Sequence, residues 1–216
     1  SMLPASLHFK VAQDCVKYGK NLVTASYVSD EIKSLNAEAK EKGVLLLNEI
    51  GLDPGIDHMS AMKIIDQIKA KGGELKSFKS YCGGLVAPES DTNPWKYKFT
   101  WNPRNVVLAG QGTAQYIQDG DLKYIPYGQL FKRTYALSVL EYGEFEAYAN
   151  RDSLSYREIY KLENIPTLLR GTLRRPGYGE AWDLFIQLGM TDDSFKMNVT
   201  GMTYKDFFVS FMDITD

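Results

Sequence analysis

Four consecutive apolar residues, Val44-Leu45-Leu46-Leu47, run into the polar turn Asn48-Glu49-Ile50-Gly51-Leu52-Asp53-Pro54-Gly55. A continuous apolar run of this kind is expected of a strand buried on both faces of a parallel sheet. Proline fixes its own backbone angle and glycine opens angles closed to other residues, so Asp53-Pro54-Gly55 forces a sharp change of direction. From Ile56 the pattern changes, with Ile56, Met59, Met62, Ile65 and Ile68 at three-residue steps and Gly72-Gly73 as a stop. This spacing predicts a helix over Ile56–Lys71. Strand, tight turn and helix in that order place polar groups at the carboxyl end of a sheet, where α/β proteins bind ligands.

The stretch before this junction repeats the alternation. Residues 6–18 are predicted helical, with Ser6 as cap, Leu7, Val11 and Cys15 on one face, and Gly19 as stop. Leu22–Tyr27 is β-prone, and Asp30–Lys42 reads as a polar helix with Ser29 as N-cap and Gly43 at its end. Helix, strand, helix, strand implies right-handed βαβ units. Beyond Gly73, Leu75–Cys82 is β-like with Phe78, Ser80 and Cys82 on one face. A long polar loop follows from Gly83 to Pro94, then a strand over Tyr97–Trp101 and a helix over Asn102–Gln118 with Pro103 in its first turn. From Leu122 the texture becomes α+β. Strands are expected at Leu122–Tyr127, Phe145–Ala149 and Leu168–Arg174, with short helices at Tyr156–Leu162, Glu180–Gly189 and Tyr204–Met212. The expectation is an α/β protein whose second part carries a large mixed or antiparallel sheet.

The formal net charge of −2 gives no basic surface for nucleic acid or an anionic membrane. No apolar run reaches the length of a membrane span, and no charged-then-apolar leader is seen. Ser1-Met2 reads as an addition before an internal start, so a fragment of a longer protein is expected. Cys15 and Cys82 form no disulfide framework, which favours a reducing compartment such as the cytoplasm. His8 and His58 lack metal-ligand spacing, and no metal site is expected.

Asp53 carries two readings. It is a turn former, or it is a carboxylate at a helix entrance that accepts from a substrate amine, beside backbone N–H groups able to meet an anion. Asp57 suits the helix dipole. Cys82 reads as a small buried hydrophobe or a pocket lining, with no sequence neighbour to activate a thiolate. Arg151, and Arg170, Arg174 and Arg175 in Arg170-Gly171-Thr172-Leu173-Arg174-Arg175, are solvated surface charges or forks for carboxylates. On a strand, Arg170, Thr172 and Arg174 share a face. Gly110-Gln111-Gly112 has no strand directly before it and fails the dinucleotide fingerprint.

The stretch Asn48-Glu49-Ile50-Gly51-Leu52-Asp53-Pro54-Gly55-Ile56-Asp57-His58 resembles the signature of glutamate-forming saccharopine dehydrogenases, also called saccharopine reductases. So do Thr24-Ala25-Ser26-Tyr27-Val28, Ser80-Tyr81-Cys82-Gly83-Gly84-Leu85, Ala87-Pro88-Glu89, Asn93-Pro94, Tyr97-Lys98-Phe99-Thr100-Trp101, Asn150-Arg151-Asp152-Ser153 and Arg170-Gly171-Thr172-Leu173-Arg174, in family order. Val86 and Ala149 stand where the family usually has proline, and residues 105–145 match poorly.

The resemblance implies the trailing edge of a Rossmann-like parallel sheet in residues 1–50, then a mixed-sheet domain for substrate binding and dimerisation in 51–216. It implies oxidation of saccharopine with NADP or NAD, held mainly by a nucleotide domain not in this sequence, and hydrolysis of the resulting imine. The products are glutamate and 2-aminoadipate 6-semialdehyde, in lysine metabolism. Carried over by position, the substrate contacts are Ser26, Tyr27, Asp53, Arg151, Thr172, Leu173 and Arg174. Asp53, Tyr27 and Cys82 border the reacting centre as catalytic candidates. Leu52, Asp53, Pro54, Gly55, Ile56, Asp57, His58 and Met59 meet the nicotinamide side of the cofactor. The chain alone is expected to be inactive and its longer protein a homodimer, in the mitochondrial matrix if of the animal bifunctional type. A non-catalytic substrate-binding and dimerisation module, and a related amino-acid imine oxidoreductase, are the alternatives.

Overall fold

The structure is a computed structural model that describes residues 1–93, 95–100 and 102–213. Pro94 and Trp101, part of the motifs above, lie outside the described residues. The chain divides into two compact units, residues 1–74 and 75–216.

In the first unit α1 (His8–Lys17) leads to β1 (Leu22–Val23), two short helices α2 (Asp30–Ser34) and α3 (Asn36–Glu41), β2 (Leu46–Leu47) and the long α4 (Ile56–Ala70). β1 and β2 pair in parallel, Leu22 opposite Leu46 and Val23 opposite Leu47, as the alternation predicts. The polar helix expected over Asp30–Lys42 is broken at Leu35 into α2 and α3, and the Ser29 side chain caps the first by accepting from Ile32 N. One face of the sheet is covered. Ala12, Leu22 and Ile32 form one buried cluster with Leu46 against it, and Val16, Ala39 and Val44 form another. Val23, Leu45 and Leu47 are exposed. Val44–Leu47 therefore alternates, and the expectation of burial on both faces does not hold in this unit.

The helix after the turn forms as predicted, but its inward face differs. Ala61 and Ile65 are buried, whereas Ile56 and Met59 are exposed. Strict three-residue steps precess around a helix of 3.6 residues per turn, so a row that begins exposed at Ile56 and Met59 turns onto the buried face only at Ile65.

The second unit holds β3 (Ser77–Cys82), α5 (Pro103–Leu108), β4 (Ala114–Gln118), β5 (Asp121–Ile125), β6 (Tyr135–Ser138), β7 (Glu144–Ala149), α6 (Tyr156–Ile159), β8 (Thr167–Arg174), α7 (Tyr178–Gln187) and α8 (Tyr204–Val209). Its six-stranded sheet runs β5-β4-β8-β7-β6, with β3 added in parallel to β8 and the other pairings antiparallel. β8 is the common neighbour of β3, β4 and β7, which explains why six of its eight residues are buried. Tyr97, Val106, Leu130, Phe131, Tyr148, Leu169, Tyr178 and Trp182 make an aromatic-rich core.

Two expectations fail here. Residues 97–100 form no strand, and Tyr97 is instead buried in that core. The helix expected over Asn102–Gln118 starts correctly, with Pro103 at its first position and the Asn102 side chain accepting from Asn105 N, but ends at Leu108. Gly110 passes so close to Ile186 and Phe131 that an added Cβ would lie 2.2 Å from Ile186 Cδ1, and residues 114–118 then become β4. The overlooked signal is Asp119-Gly120. Both residues have positive φ, 52° and 87°, and as a two-residue link between β4 and β5 they form the Asp-Gly hairpin turn. Among the described residues no helix is long and apolar enough to cross a membrane.

Candidate functional site

In the first unit, the loops leaving the carboxyl ends of β1 and β2 are laced together. Thr24 N donates to Leu47 O at 2.9 Å and Glu49 N to Ser26 O at 3.0 Å. Asn48 Nδ2 donates to the same Ser26 carbonyl at 3.4 Å, and Val28 N donates to Glu49 Oε1 at 3.1 Å. Glu49 sits at φ 59° to make this reach. Across this lacing Tyr27 Oη donates to Asp53 Oδ1 at 3.0 Å. Ser26, Tyr27 and Asp53 are thus brought to one place, with Ser26 and Asp53 half-buried and Tyr27 exposed.

The turn itself is closed on its own backbone. Asp53-Pro54 is a cis peptide, Gly51 N donates to Pro54 O at 2.9 Å, and Ile56 N returns to Gly51 O at 2.9 Å. Gly55 has φ 151°, and an added Cβ would lie 2.1 Å from Gly51 O. Asp57 Oδ1 accepts from Gly55 N at 2.7 Å, and Asp57 Oδ2 lies 3.6 Å from His58 Nδ1. The expectation that N–H groups here meet an anionic ligand is therefore corrected for Gly55, Ile56 and Asp57, whose N–H groups are taken inside the turn. Pro54 and Gly55 are buried and shape the turn. Leu52, Ile56 and Met59 are 62%, 56% and 54% exposed. All three are apolar residues of the turn and of the first turn of α4, on either side of Asp53 in sequence. Among the described residues no His, Cys, Asp or Glu cluster could hold a metal ion.

In the second unit the register of β3, β7 and β8 sets the candidates. Ser80 lies opposite Arg170 and Cys82 opposite Thr172 on one side, and Tyr148 lies opposite Thr172 on the other. Alternation puts Ser80, Cys82, Arg170, Thr172, Arg174 and Tyr148 on one face of the sheet, as the sequence spacing predicts for Arg170, Thr172 and Arg174. Leu173 points to the opposite face, and its carbonyl packs under Gly83, where an added Cβ would lie 2.4 Å from it. Thr172 Oγ1 donates to Asn150 Oδ1 at 2.7 Å. The neighbouring Arg151 is exposed, and its carbonyl accepts from Gln115 N at 3.0 Å. Cys82 is half-buried and in no disulfide.

Arg170 and Arg174 are not solvated surface charges. They are 4% and 6% exposed. Arg170 Cζ stacks 4.0 Å from the Tyr156 ring centre. Arg175, the next residue, has Asp91 at 3.7 Å. Arg174 has no carboxylate partner among the described residues. Its Nη1 donates to Leu173 O at 3.2 Å, and Cζ lies 4.8, 5.2 and 5.9 Å from the ring centres of Tyr97, Tyr178 and Tyr148. Its Nε has no hydrogen-bond partner. Its cross-strand neighbour Glu146 is engaged elsewhere, accepting from Gly177 N and Gly179 N at the start of α7. Burial works against the Arg174 charge, but Tyr148, Tyr178 and Tyr97 beside it outweigh that and raise its pKa. Burial also pushes the Tyr148 and Tyr178 phenols well above the ordinary tyrosine value, against the pull of Arg174. Tyr148 and Tyr178 are not distinguished by the sequence pattern, because what marks them is a tertiary contact, Thr172 across the strands for Tyr148 and the Arg174 guanidinium for Tyr178, rather than local spacing.

These geometries can be set beside known proteins. A family model described as the saccharopine dehydrogenase C-terminal domain matches residues 51–212. An alpha-aminoadipic semialdehyde synthase of Arabidopsis thaliana is 45% identical over 195 residues, covering 89% of this chain and 18% of that protein. The saccharopine dehydrogenase [NADP(+), L-glutamate-forming] of Saccharomyces cerevisiae is 39% identical over 193 residues, covering 89% of this chain and 43% of that protein. The structure of apo saccharopine dehydrogenase (L-Glu forming) from Saccharomyces cerevisiae matches with a TM-score of 0.84 at 38% identity, over 91% of this chain and 44% of that one. The chain spans less than half the length of these relatives. A mixed α/β architecture with a small parallel sheet and a larger, mainly antiparallel one, a closely matching solved structure and a family match over most of the sequence agree, and the chain belongs to the saccharopine dehydrogenase C-terminal domain family.

Proposed function

We propose that this chain is the substrate-binding part of an oxidoreductase that converts saccharopine, water and NAD(P)+ to L-glutamate and 2-aminoadipate 6-semialdehyde. The observation that carries this reading is Arg174, a buried guanidinium with no carboxylate partner among the described residues, on the same strand face as Thr172 and Cys82. A substrate carboxylate is the partner such a group lacks. Saccharopine carries three carboxylates, and Arg151 is a second, exposed fork for one of them.

A nicotinamide cofactor, when bound, supplies the hydride acceptor. Leu52, Ile56 and Met59 would hold its nicotinamide side and keep water from that face, with Asp53, Asp57 and His58 around the same turn. Asp53 accepts from the secondary amine of the substrate, and the Tyr27 hydroxyl, donating to Asp53 at 3.0 Å, fixes the carboxylate for that task. The amine proton leaves through water to solvent as the hydride departs, and a second water attacks the imine carbon, giving its proton to Asp53, which passes it to the departing amine as the C–N bond breaks. Ser26 completes the polar contacts there. Thr172, Leu173 and Cys82 line the substrate in the second unit, Leu173 through its backbone. The longer protein is read as a homodimer, the second unit supplying the contact.

The test is turnover. The full-length protein that carries this chain should oxidise saccharopine with NAD+ or NADP+ and release glutamate, while the 216-residue chain should not. Absence of saccharopine oxidation by the full-length protein, with turnover of another amino-carboxylate, would overturn the substrate.

A further inference from the structure

We propose that Tyr97, Tyr148 and Tyr178 are positioning residues whose rings take the place of a carboxylate counter-charge and hold the Arg174 guanidinium ready for the substrate. This rests on the reading of Arg174 as a substrate contact. The three tyrosines come from separate parts of the chain: the loop after β3, strand β7 and the first turn of α7. All three are buried, at 5%, 4% and 2% exposure, and all three ring centres lie within 5.9 Å of Arg174 Cζ. The rings also brace one another. Tyr97 meets Tyr178 edge-on at 5.4 Å, Phe131 meets both Tyr148 and Tyr178, at 5.0 and 5.7 Å, and Trp182 stacks on Tyr178 at 5.2 Å.

A carboxylate in this position would neutralise Arg174 and compete with any incoming acid. Ring faces attract a cation without consuming its N–H donors. Glu146 is the acid that the strand register would otherwise offer, and its carboxylate is held by Gly177 N and Gly179 N. The arrangement thus surrounds the guanidinium with ring faces and leaves its buried Nε without a hydrogen-bond partner among the described residues.

The test separates ring electronics from ring shape. In the full-length enzyme, residue 97 is replaced by phenylalanine and then by mono-, di- and trifluorinated phenylalanine, which keep the shape and progressively weaken the negative ring face. KM for saccharopine should rise stepwise, by roughly three- to tenfold over the series, with kcat changed less than about twofold and the melting temperature level. Arg174→Ala is measured alongside. If Arg174→Ala raises KM and the fluorinated series is flat, the positioning role is overturned while the substrate reading stands. If Arg174→Ala leaves KM unchanged, Arg174 is no substrate contact and both fall.

Discussion

A guanidinium taken out of water is costly unless something replaces its hydration, and Arg174 does so with aromatic rings and one carbonyl. Removing it in the full-length enzyme should lower kcat/KM for saccharopine by about 1.5–3 kcal/mol, the range of a charged hydrogen bond. Steady-state kinetics of Arg174→Ala check this, and an unchanged kcat/KM would remove the residue from the site. Ser153 offers a test of stability instead. It is fully buried, and its Oγ accepts from Arg170 N at 2.9 Å. Ser153→Ala leaves that N–H buried with no acceptor, which should cost about 1–3 kcal/mol in denaturant unfolding. A loss below a few tenths of a kcal/mol would mean that water enters in its place. The sequence marks Arg174 only as one of several arginines sharing a strand face. Its burial and its aromatic surroundings come from Tyr97, Tyr148 and Tyr178, which no local pattern links to it.

At the scale of elements, what was legible followed local chemistry. The strand β8, the helix α4 and the turn between Asn48 and Ile56 could be read because apolar runs, glycine and proline act on their immediate neighbours. Strand β4 could not, because Val106, Val107 and Leu108 continue into Ala109 with a helix-like texture and only the Asp119-Gly120 turn betrays the hairpin. The candidate site was legible in its residue types and not in its geometry. The pattern found Asp53 but not its Tyr27 hydrogen bond, and found Asp57 without showing that its carboxylate closes on Gly55 N. The two turns give a paired prediction. Gly120 has φ 87° with open space around it, so Gly120→Ala should cost about 1 kcal/mol from backbone strain alone. Gly55 combines φ 151° with a Cβ position 2.1 Å from Gly51 O. Gly55→Ala should cost about 3 kcal/mol or more and shift the turn. Parallel urea titrations check the pair, and equal losses would contradict the closed turn.

Across the whole molecule, the fourteen tyrosines make alkaline pH the informative variable. Burial raises the phenols of Tyr148 and Tyr178, and burial followed by the hydrogen bond to Tyr81 raises that of Tyr135. Tyr81 is raised by burial too, and its hydroxyl lies 2.7 Å from that of Tyr135. The unfolded chain releases these protons near the ordinary tyrosine value of about 10, whereas the folded chain keeps them. Above that pH the unfolded state binds fewer protons than the native one, so stability falls as pH rises. The contribution is fully present below about pH 10 and is lost as pH climbs toward the raised native values. The fully buried Tyr148 and Tyr178 carry most of it, since the part-exposed Tyr81 and Tyr135 are screened by solvent. Melting temperature should therefore be level from about pH 7 to 9 and drop steeply above about pH 10, with tyrosinate absorbance of the folded chain lagging that of the denatured chain. Tyr148→Phe, which removes one such proton, should flatten the drop. A melting temperature unchanged to pH 11, or folded and denatured chains that titrate together, would contradict the burial of these phenols.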